Sequence, residues 1–449
     1  MVPASEETRG SPNPLPMIIL GFYRYVAVYA AICAVYLVFC EATSSSMTIG
    51  VVSWNLAEKI PSDKDAAFLK EFKNDDIVVL GAQECEDVKF RRHEGHKSRA
   101  WHALQKKMLG KKYKNIATGS LGGIKLDVYV KSDLKKVVSL VKVIDVPCGI
   151  GNVIGNKGGV CAVLKVKDSY VAVINSHFAA HQNKIKERNQ DYSRIVTTMS
   201  ARLSEEVDEL SRRAMKKKKG QKKSTASQVA ERSGDERMEQ HLESQRDLES
   251  RLEGDSQGIP RQPLIEAKVA ARFDTRFDVE EATDSAFNSL FDAVIFLGDF
   301  NYRLNVPRLE IELAKEEKRR AMSQPTEEAL AKAAYEMESV FEYDQLHRER
   351  SQGKVFALYK EERIDFVPTY KYDKHSDEYD SSPKMRSPAW TDRILYYAED
   401  GSKEGVLSPF PSPEEGSDGS ILGAETYKSV DSRASDHRPV MTRLILNKL

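Results

Sequence analysis

Short apolar, β-branched runs that stop at polar residues recur along this chain, at residues 48–53, 77–80, 126–130, 159–166, 171–175, 293–297, 393–397 and 440–446. Their length and their Val and Ile content predict buried strands. Between them residues 65–72, 100–109 and 184–203 carry helical patterns. Strands alternating with helices predict a layered α/β domain, for which sheet packed on sheet with outer helices is one solution.

Polar residues gather where the strands stop. Trp54 and Asn55 follow the first, Gln83 and Glu84 the second, Ser176, His177 and His181 the fifth, and Asp299 to Asn301 the sixth. A single site at one edge of a sheet accounts for them all.

The residue types fit phosphate-ester hydrolysis. Asn55 and Glu84 offer oxygen to a hard cation such as Mg²⁺, which takes few protein ligands and keeps several waters. Asp299, leaving its strand in VIFLGDFNYRL, can orient or deprotonate water, and the Asn301 amide can donate to a phosphoryl oxygen. In SDHRP the acid Asp436 stands beside His437, where a carboxylate can favour a cationic imidazole. Lys384 and Arg386 precede the turn holding Asp392, a paired basic grip next to a carboxylate. Each motif taken singly has a plainer explanation, as a turn residue, an Asx turn or a solvated basic loop. Histidine is scarce, nine in all, and His177, His181 and His437 all fall in these clusters, which argues against chance placement.

Composition narrows this only locally. Lys plus Arg and Asp plus Glu both number 68, so net charge favours neither nucleic acid nor an acidic partner. The 449 residues allow one large catalytic domain with inserts. Cys33, Cys40, Cys85, Cys148 and Cys161 show no paired metal spacing and fit a reducing compartment. Residues 1–46 form an N-terminal segment with an apolar run at 25–40, compatible with a membrane anchor, a cleaved signal or a true start at Met47. Arg9 and Arg24 before that run would place the remainder of the chain on the non-cytosolic side, at odds with the reduced cysteines. Residues 200–283, with the lysine run KKKKGQKK, are expected to be a disordered or solvated insertion whose lysines can lean on an anionic membrane. The Ser/Pro/Gly-rich stretch 408–423 looks like linker.

WN (54–55), QE (83–84), GNKGGV (155–160), NSHFAAH (175–181), RNQDY (188–192), GDFNYRL (298–304), PTYKYD (368–373), KMRSPAWTDRI (384–394) and SDHRPV (435–440) together resemble the inositol polyphosphate 5-phosphatases. These belong to the endonuclease/exonuclease/phosphatase superfamily. The resemblance spans residues 48 to 446 apart from the insertion, and implies a four-layer α/β sandwich of the DNase I-like type with a catalytic domain over 47–449. It also implies Mg²⁺ on Glu84 with Asn55 close by, and Asp299 positioning the attacking water. Asn301 would bind the scissile phosphate or that water. His177 and His437 would stabilise the phosphoryl group, with Asp392 and Asp436 behind His437 or the metal. Lys157, Tyr370, Lys371, Lys384 and Arg386 would bind substrate, the last four gripping a neighbouring 4-phosphate. Thr391 stands where the family commonly has Cys, and the glycine-rich stretch 119–130, with Lys125, where lipid-directed members are often more apolar.

The expected protein is therefore a monomeric Mg²⁺-dependent phosphatase acting on phosphoinositides or soluble inositol polyphosphates, without a covalent intermediate. No Cys-x5-Arg loop supplies a thiolate nucleophile. Contact with a membrane surface on the cytoplasmic face is expected, and nucleic acid is not. A nuclease of the same superfamily and a silent phosphoinositide-binding adaptor are the alternatives.

Overall fold

A computed structural model describes residues 46–86, 95–149, 155–204, 283–398, 407–409 and 427–447. The N-terminal segment 1–45 lies outside the described residues. Among the described residues no helix is long and apolar enough to cross a membrane.

Two mixed sheets carry the molecule. In the first, strands β1 (Met47–Asn55) and β2 (Ile77–Gln83) run parallel at the centre, flanked by β4 (Ile124–Lys131) and β3 (Tyr113–Leu121) on one side. On the other side lie β12 (Val440–Leu446) and the short β10 (Leu407–Pro409), with β11 (Lys428–Ser429) also on β12. The second sheet has the order β5 (Val138–Pro147), β6 (Gly158–Val166), β7 (Ser169–His177), β8 (Ala293–Asp299) and β9 (Asp392–Ala398), with β7 and β8 its parallel pair.

The central strands are apolar throughout because both of their faces are covered. Ile49, Val51, Ile77 and Val79 meet Val171, Val173, Ile295 and Leu297 between the sheets. On the outer side of the first sheet Val52, Trp54, Val78 and Leu80 pack under Phe68, Leu69 and Phe72 of a 3₁₀ helix (Ala67–Asn74) and under Trp101 and Leu104 of α1 (His96–Leu109). Outside the second sheet Ala172, Ile174, Val294 and Phe296 meet Tyr192, Ile195, Val196 and Met199 of α2 (residues 185–204). Helix, sheet, sheet, helix is the four-layer sandwich expected. Each fully buried Val, Leu or Ile contributes about 1.5–3 kcal/mol.

A polar clamp crosses the apolar inter-sheet core. Gln83 Nε2 donates to Asn175 Oδ1 at 2.6 Å, and Asn175 Nδ2 donates to the carbonyls of Ala82 (3.0 Å) and Lys125 (2.8 Å). Gly81 permits this approach, since a Cβ there would stand 2.8 Å from Asn175 Oδ1 and 2.7 Å from Leu297 Cδ1. The two sheets are thereby held in register directly beneath the ends of β2 and β7.

Several expectations are corrected. The strand expected at 126–130 lies within β4 and begins earlier, at Ile124, because the glycine-rich stretch turns β3 into β4 at Gly122 and Gly123. Edge strands β3 and β5 escape the apolar-run pattern because only three residues of each are buried. Helices α4 (Arg308–Ser323), α5 (Glu327–Phe341) and α6 (Gln345–Ser351) also lack a recognisable apolar stripe: α4 buries only Ile311, Ala314 and Ala321. Of the 200–283 insertion, residues 200–204 complete α2, with Leu203 buried, and Thr283–Asn288 form the short α3. The lysine run lies outside the described residues. Ser408 and Pro409 belong to β10, not to linker, and residues 410–426 lie outside the described residues.

Candidate active site

The parallel pairs β1/β2 and β7/β8 end at the same edge of the sandwich, and their antiparallel neighbours β12 and β9 begin there. Register does the assembling. His177 pairs with Asp299 across β7 and β8, and Asp299 pairs with Asp392 across β8 and β9. Residues directly opposite in a ladder share a face, so two acids and an imidazole lie side by side. Gly298, just before Asp299, has φ +150°, and a Cβ there would come within 2.1 Å of Ser176 O. Only glycine brings β8 past β7 at this point.

Asp299 is the hub, almost wholly buried. Its Oδ2 accepts from Asn55 Nδ2 (2.9 Å) and stands 3.3 Å from His177 Nε2 and 4.0 Å from His437 Nε2, while Oδ1 accepts the Asn301 N–H at 3.0 Å. Burial alone would raise its pKa, but contact with the His177 imidazole and the positive charges of His437 and Lys157 hold it well below the usual carboxylate range.

The two histidines are set to opposite charge states. Burial, reinforced by the Lys157 ammonium against its Nε2, pushes His177 down and keeps it neutral. Burial also opposes charge on His437, yet Asp392 Oδ2 at 2.9 Å from Nδ1, with Asp299 and Asp436 nearby, raises it to about 10. Thr369 Oγ1 (2.7 Å) and Thr391 Oγ1 (3.0 Å) donate to the same Asp392 oxygen and fix it. Trp54 Nε1 donates to His437 O at 3.2 Å, and the Tyr370 ring lies 4.4 Å from the imidazole under the Arg303 guanidinium.

Asn55, Lys157, His177, Asp299, Asn301, Tyr370, Lys371, Asp392, Asp436 and His437 thus lie together, whereas among the described residues Lys384 and Arg386 touch only Ser382 and Asp380. Asn55 is a positioning residue more than a metal ligand: its amide oxygen accepts the Ala57 N–H at 2.9 Å, which turns the amide nitrogen onto Asp299. Asn301 is engaged internally, donating from Nδ2 to Phe178 O at 3.1 Å and accepting from Arg303. The Asp436 carboxylate is taken by Lys371 and leaves Asp392 as the direct partner of His437. Arg386 lies 3.5 Å from Asp380 and Lys371 is paired with Asp436, so each carries a carboxylate partner, while Lys384 is exposed. His181 is an exposed turn residue at φ +81° whose carbonyl accepts from Arg188. RNQDY acts as a brace: Arg188 holds the carbonyls of Ala179 and His181, and Asp191 accepts the Ala179 N–H at 2.7 Å.

Thr369, Ser435 and Arg303 were not singled out by sequence, although PTYKYD, SDHRPV and GDFNYRL contain them. Ser435 Oγ donates to Asn55 O at 2.6 Å and receives the His437 N–H, tying β1 to the loop before β12.

Glu84 suits a hard cation. It sits at φ +48° just past β2, and its carboxylate, 40% exposed, stands 3.9 Å from His177 Nε2. That leaves one open carboxylate oxygen donor beside Asp299 with room for water, the sparse ligand set Mg²⁺ tolerates. Asp299, Asp392 and His437 also lie close enough to share an ion, but His437 Nδ1 and Asp392 are already joined to each other.

Two packed mixed sheets between outer helices, with a buried acid between two imidazoles at one edge, define a sandwich of the DNase I-like class. The model of Endonuclease/Exonuclease/phosphatase family 2 matches residues 52–443, and the chain belongs to that family. It is 25% identical over 370 residues to synaptojanin of Caenorhabditis elegans, covering 81% of this chain and 23% of that protein. With the type II inositol polyphosphate 5-phosphatase 15 of Arabidopsis thaliana it shares 30% identity over 290 residues, 64% of this chain and 20% of the relative. The chain thus spans about a quarter or less of these relatives. Among solved structures, the inositol polyphosphate 5-phosphatase domain of a synaptojanin, in complex with inositol (1,4)-bisphosphate and calcium, superposes with a TM-score of 0.54 at 25% identity, covering 90% of this chain and 85% of that one. Cimex nitrophorin, at 15% identity and TM-score 0.51 over 89% and 98% of the chains, shares the fold alone.

Proposed function

We propose that this chain hydrolyses the 5-phosphate of phosphoinositides or soluble inositol polyphosphates by direct attack of water, with Mg²⁺ on Glu84, and that it works at the cytoplasmic face of a membrane. The observation that carries this is Asp299 held between neutral His177 and cationic His437. The relatives named for 5-phosphatase activity, and the neighbour bound to an inositol bisphosphate, support the substrate class.

A divalent cation would polarise the phosphoryl oxygens and lower the pKa of water. The chain supplies the rest. Asp299, with its proton affinity held down by three basic groups, is a weak base and serves chiefly to orient water for in-line attack. The new P–O bond forms from water as the bond to the inositol 5-oxygen breaks, and the proton that the water gives up balances the one that the leaving oxygen takes. His437 and Lys157 set positive charge beside the phosphoryl group, in a buried site where such charge acts strongly.

Phosphate release from phosphatidylinositol 4,5-bisphosphate and inositol 1,4,5-trisphosphate tests the reading. Mg²⁺-dependent release that EDTA abolishes is expected; failure on both, with cleavage of an abasic-site duplex instead, would establish the nuclease alternative. Lys384→Ala is expected to lower kcat/KM for a 4,5-bisphosphate about 10- to 100-fold, the worth of one charge-assisted contact, and to leave a substrate lacking the 4-phosphate within about threefold. Equal losses on both substrates would remove Lys384 from 4-phosphate recognition.

A further inference from the structure

Large apolar side chains stand exposed on the rim beside the site. Leu309 is 65% and Leu313 60% exposed, one turn apart on the outward side of α4, opposite Ile311 and Ala314, which the core buries. Met385, 55% exposed, touches Arg308, the residue before Leu309, at 3.7 Å from Sδ to the guanidinium. Arg308 also donates to the carbonyls of Tyr379 and Asp380, which joins the first turn of α4 to the loop carrying Lys384 and Arg386. Removing apolar surface from water is favourable in proportion to the area buried, so three exposed apolar tips are costly to leave in water.

We propose that Leu309, Leu313 and Met385 form an insertion ridge that seats the domain on a lipid bilayer, with its substrate-binding edge toward the headgroups. Two features favour a lipid surface over a protein. The patch is discontinuous, formed by tips from a helix and a loop that project beside the substrate-binding edge, where a headgroup held in a bilayer must arrive. Lys384, exposed and next to Met385 in the chain, adds a cation suited to an anionic lipid surface. Glu310 and Glu316 share the outward side of α4, so apolar insertion and not a basic field supplies most of the hold.

This inference rests on the proposed activity only for the orientation of the edge, and its test separates the two. The full chain and the Leu309→Asp/Leu313→Asp variant are floated with phosphatidylcholine vesicles carrying phosphatidylserine and phosphatidylinositol 4,5-bisphosphate, and both are assayed on soluble inositol 1,4,5-trisphosphate. The expected result is a loss of vesicle-bound protein of about tenfold or more, with soluble turnover within twofold. Flotation equal to that of the unmodified chain overturns the ridge, and leaves the patch to a protein partner. Loss of both flotation and soluble turnover, with an unchanged circular dichroism spectrum, also overturns it, because the helix would then act through the site. Absence of turnover in the unmodified chain would count against the activity and not against the ridge, which flotation reads on its own.

Discussion

Asp299→Ala is expected to abolish phosphate release almost completely, with kcat falling at least about 10³-fold while KM changes little. Three functions end together. The carboxylate that orients water is lost, and Asn55 loses the acceptor at 2.9 Å that fixes its amide. The two imidazoles also lose the anion between them. Asp299→Asn sharpens the result. Its shape is conserved and it still offers one oxygen, so the Asn301 N–H remains satisfied, but the negative charge between His177 and His437 is gone. If charge and water orientation are what Asp299 supplies, Asn must be nearly as inactive as Ala despite its better packing. Single-turnover kinetics on a soluble inositol phosphate measures this, with thermal melting to confirm the fold. Activity within tenfold of the unmodified protein in either variant would displace Asp299 from the centre of the mechanism.

How much of this was legible in the chain depends on the part each residue plays. The central strands announce themselves because both faces are buried, so Ile77 to Leu80 and Ala293 to Leu297 have no polar residue to dilute the pattern. The strand-end residues were legible for a related reason: Asn55, His177 and Asp299 are polar residues finishing apolar strands, and a fold that ends its parallel strands at one edge must bring them together. Edge strands and thinly buried helices gave no such signal. Nor does sequence state which neighbour a polar group chooses. On paper chain adjacency favours Asp436 as the partner of His437, and Asp392, 45 residues away, enters only through the family resemblance. The bridge between Tyr370 and His437 decides it: it lays the PTYKYD segment alongside, delivers Lys371 to Asp436 and Thr369 to Asp392, and leaves Asp392 facing the imidazole. Asn55 shows the same limit, its amide orientation being fixed by a backbone N–H two residues on.

That choice of partner makes Asp392→Asn the more discriminating change. In the unmodified protein His437 is raised from its ordinary 6.5 to about 10 because the Asp392 carboxylate, helped by Asp299 and Asp436, outweighs burial. A folded-state pKa above the unfolded one means that the pair's stabilisation is complete below about pH 6.5 and is lost as pH rises through about 10. Across pH 6 to 8 the imidazole is therefore cationic and should impose no titration on the rate. With the carboxylate replaced by an amide, the largest opposing influence is removed and burial dominates, so the pKa drops toward or below the ordinary value. Near pH 8 most of the population then carries a neutral imidazole, and kcat is expected to fall about 10²- to 10³-fold. The remaining activity should climb as pH is lowered from 8 to 6, opposite to the fall expected where a carboxylate or metal-bound water must lose a proton. The same variant should also melt lower than the unmodified chain at pH 7, with the gap closing above pH 10 as His437 in the latter loses its proton. Parallel pH–rate profiles for the two proteins would show that His437 does not act as a cation, and its place beside the phosphoryl group would then have to be explained by hydrogen bonding alone.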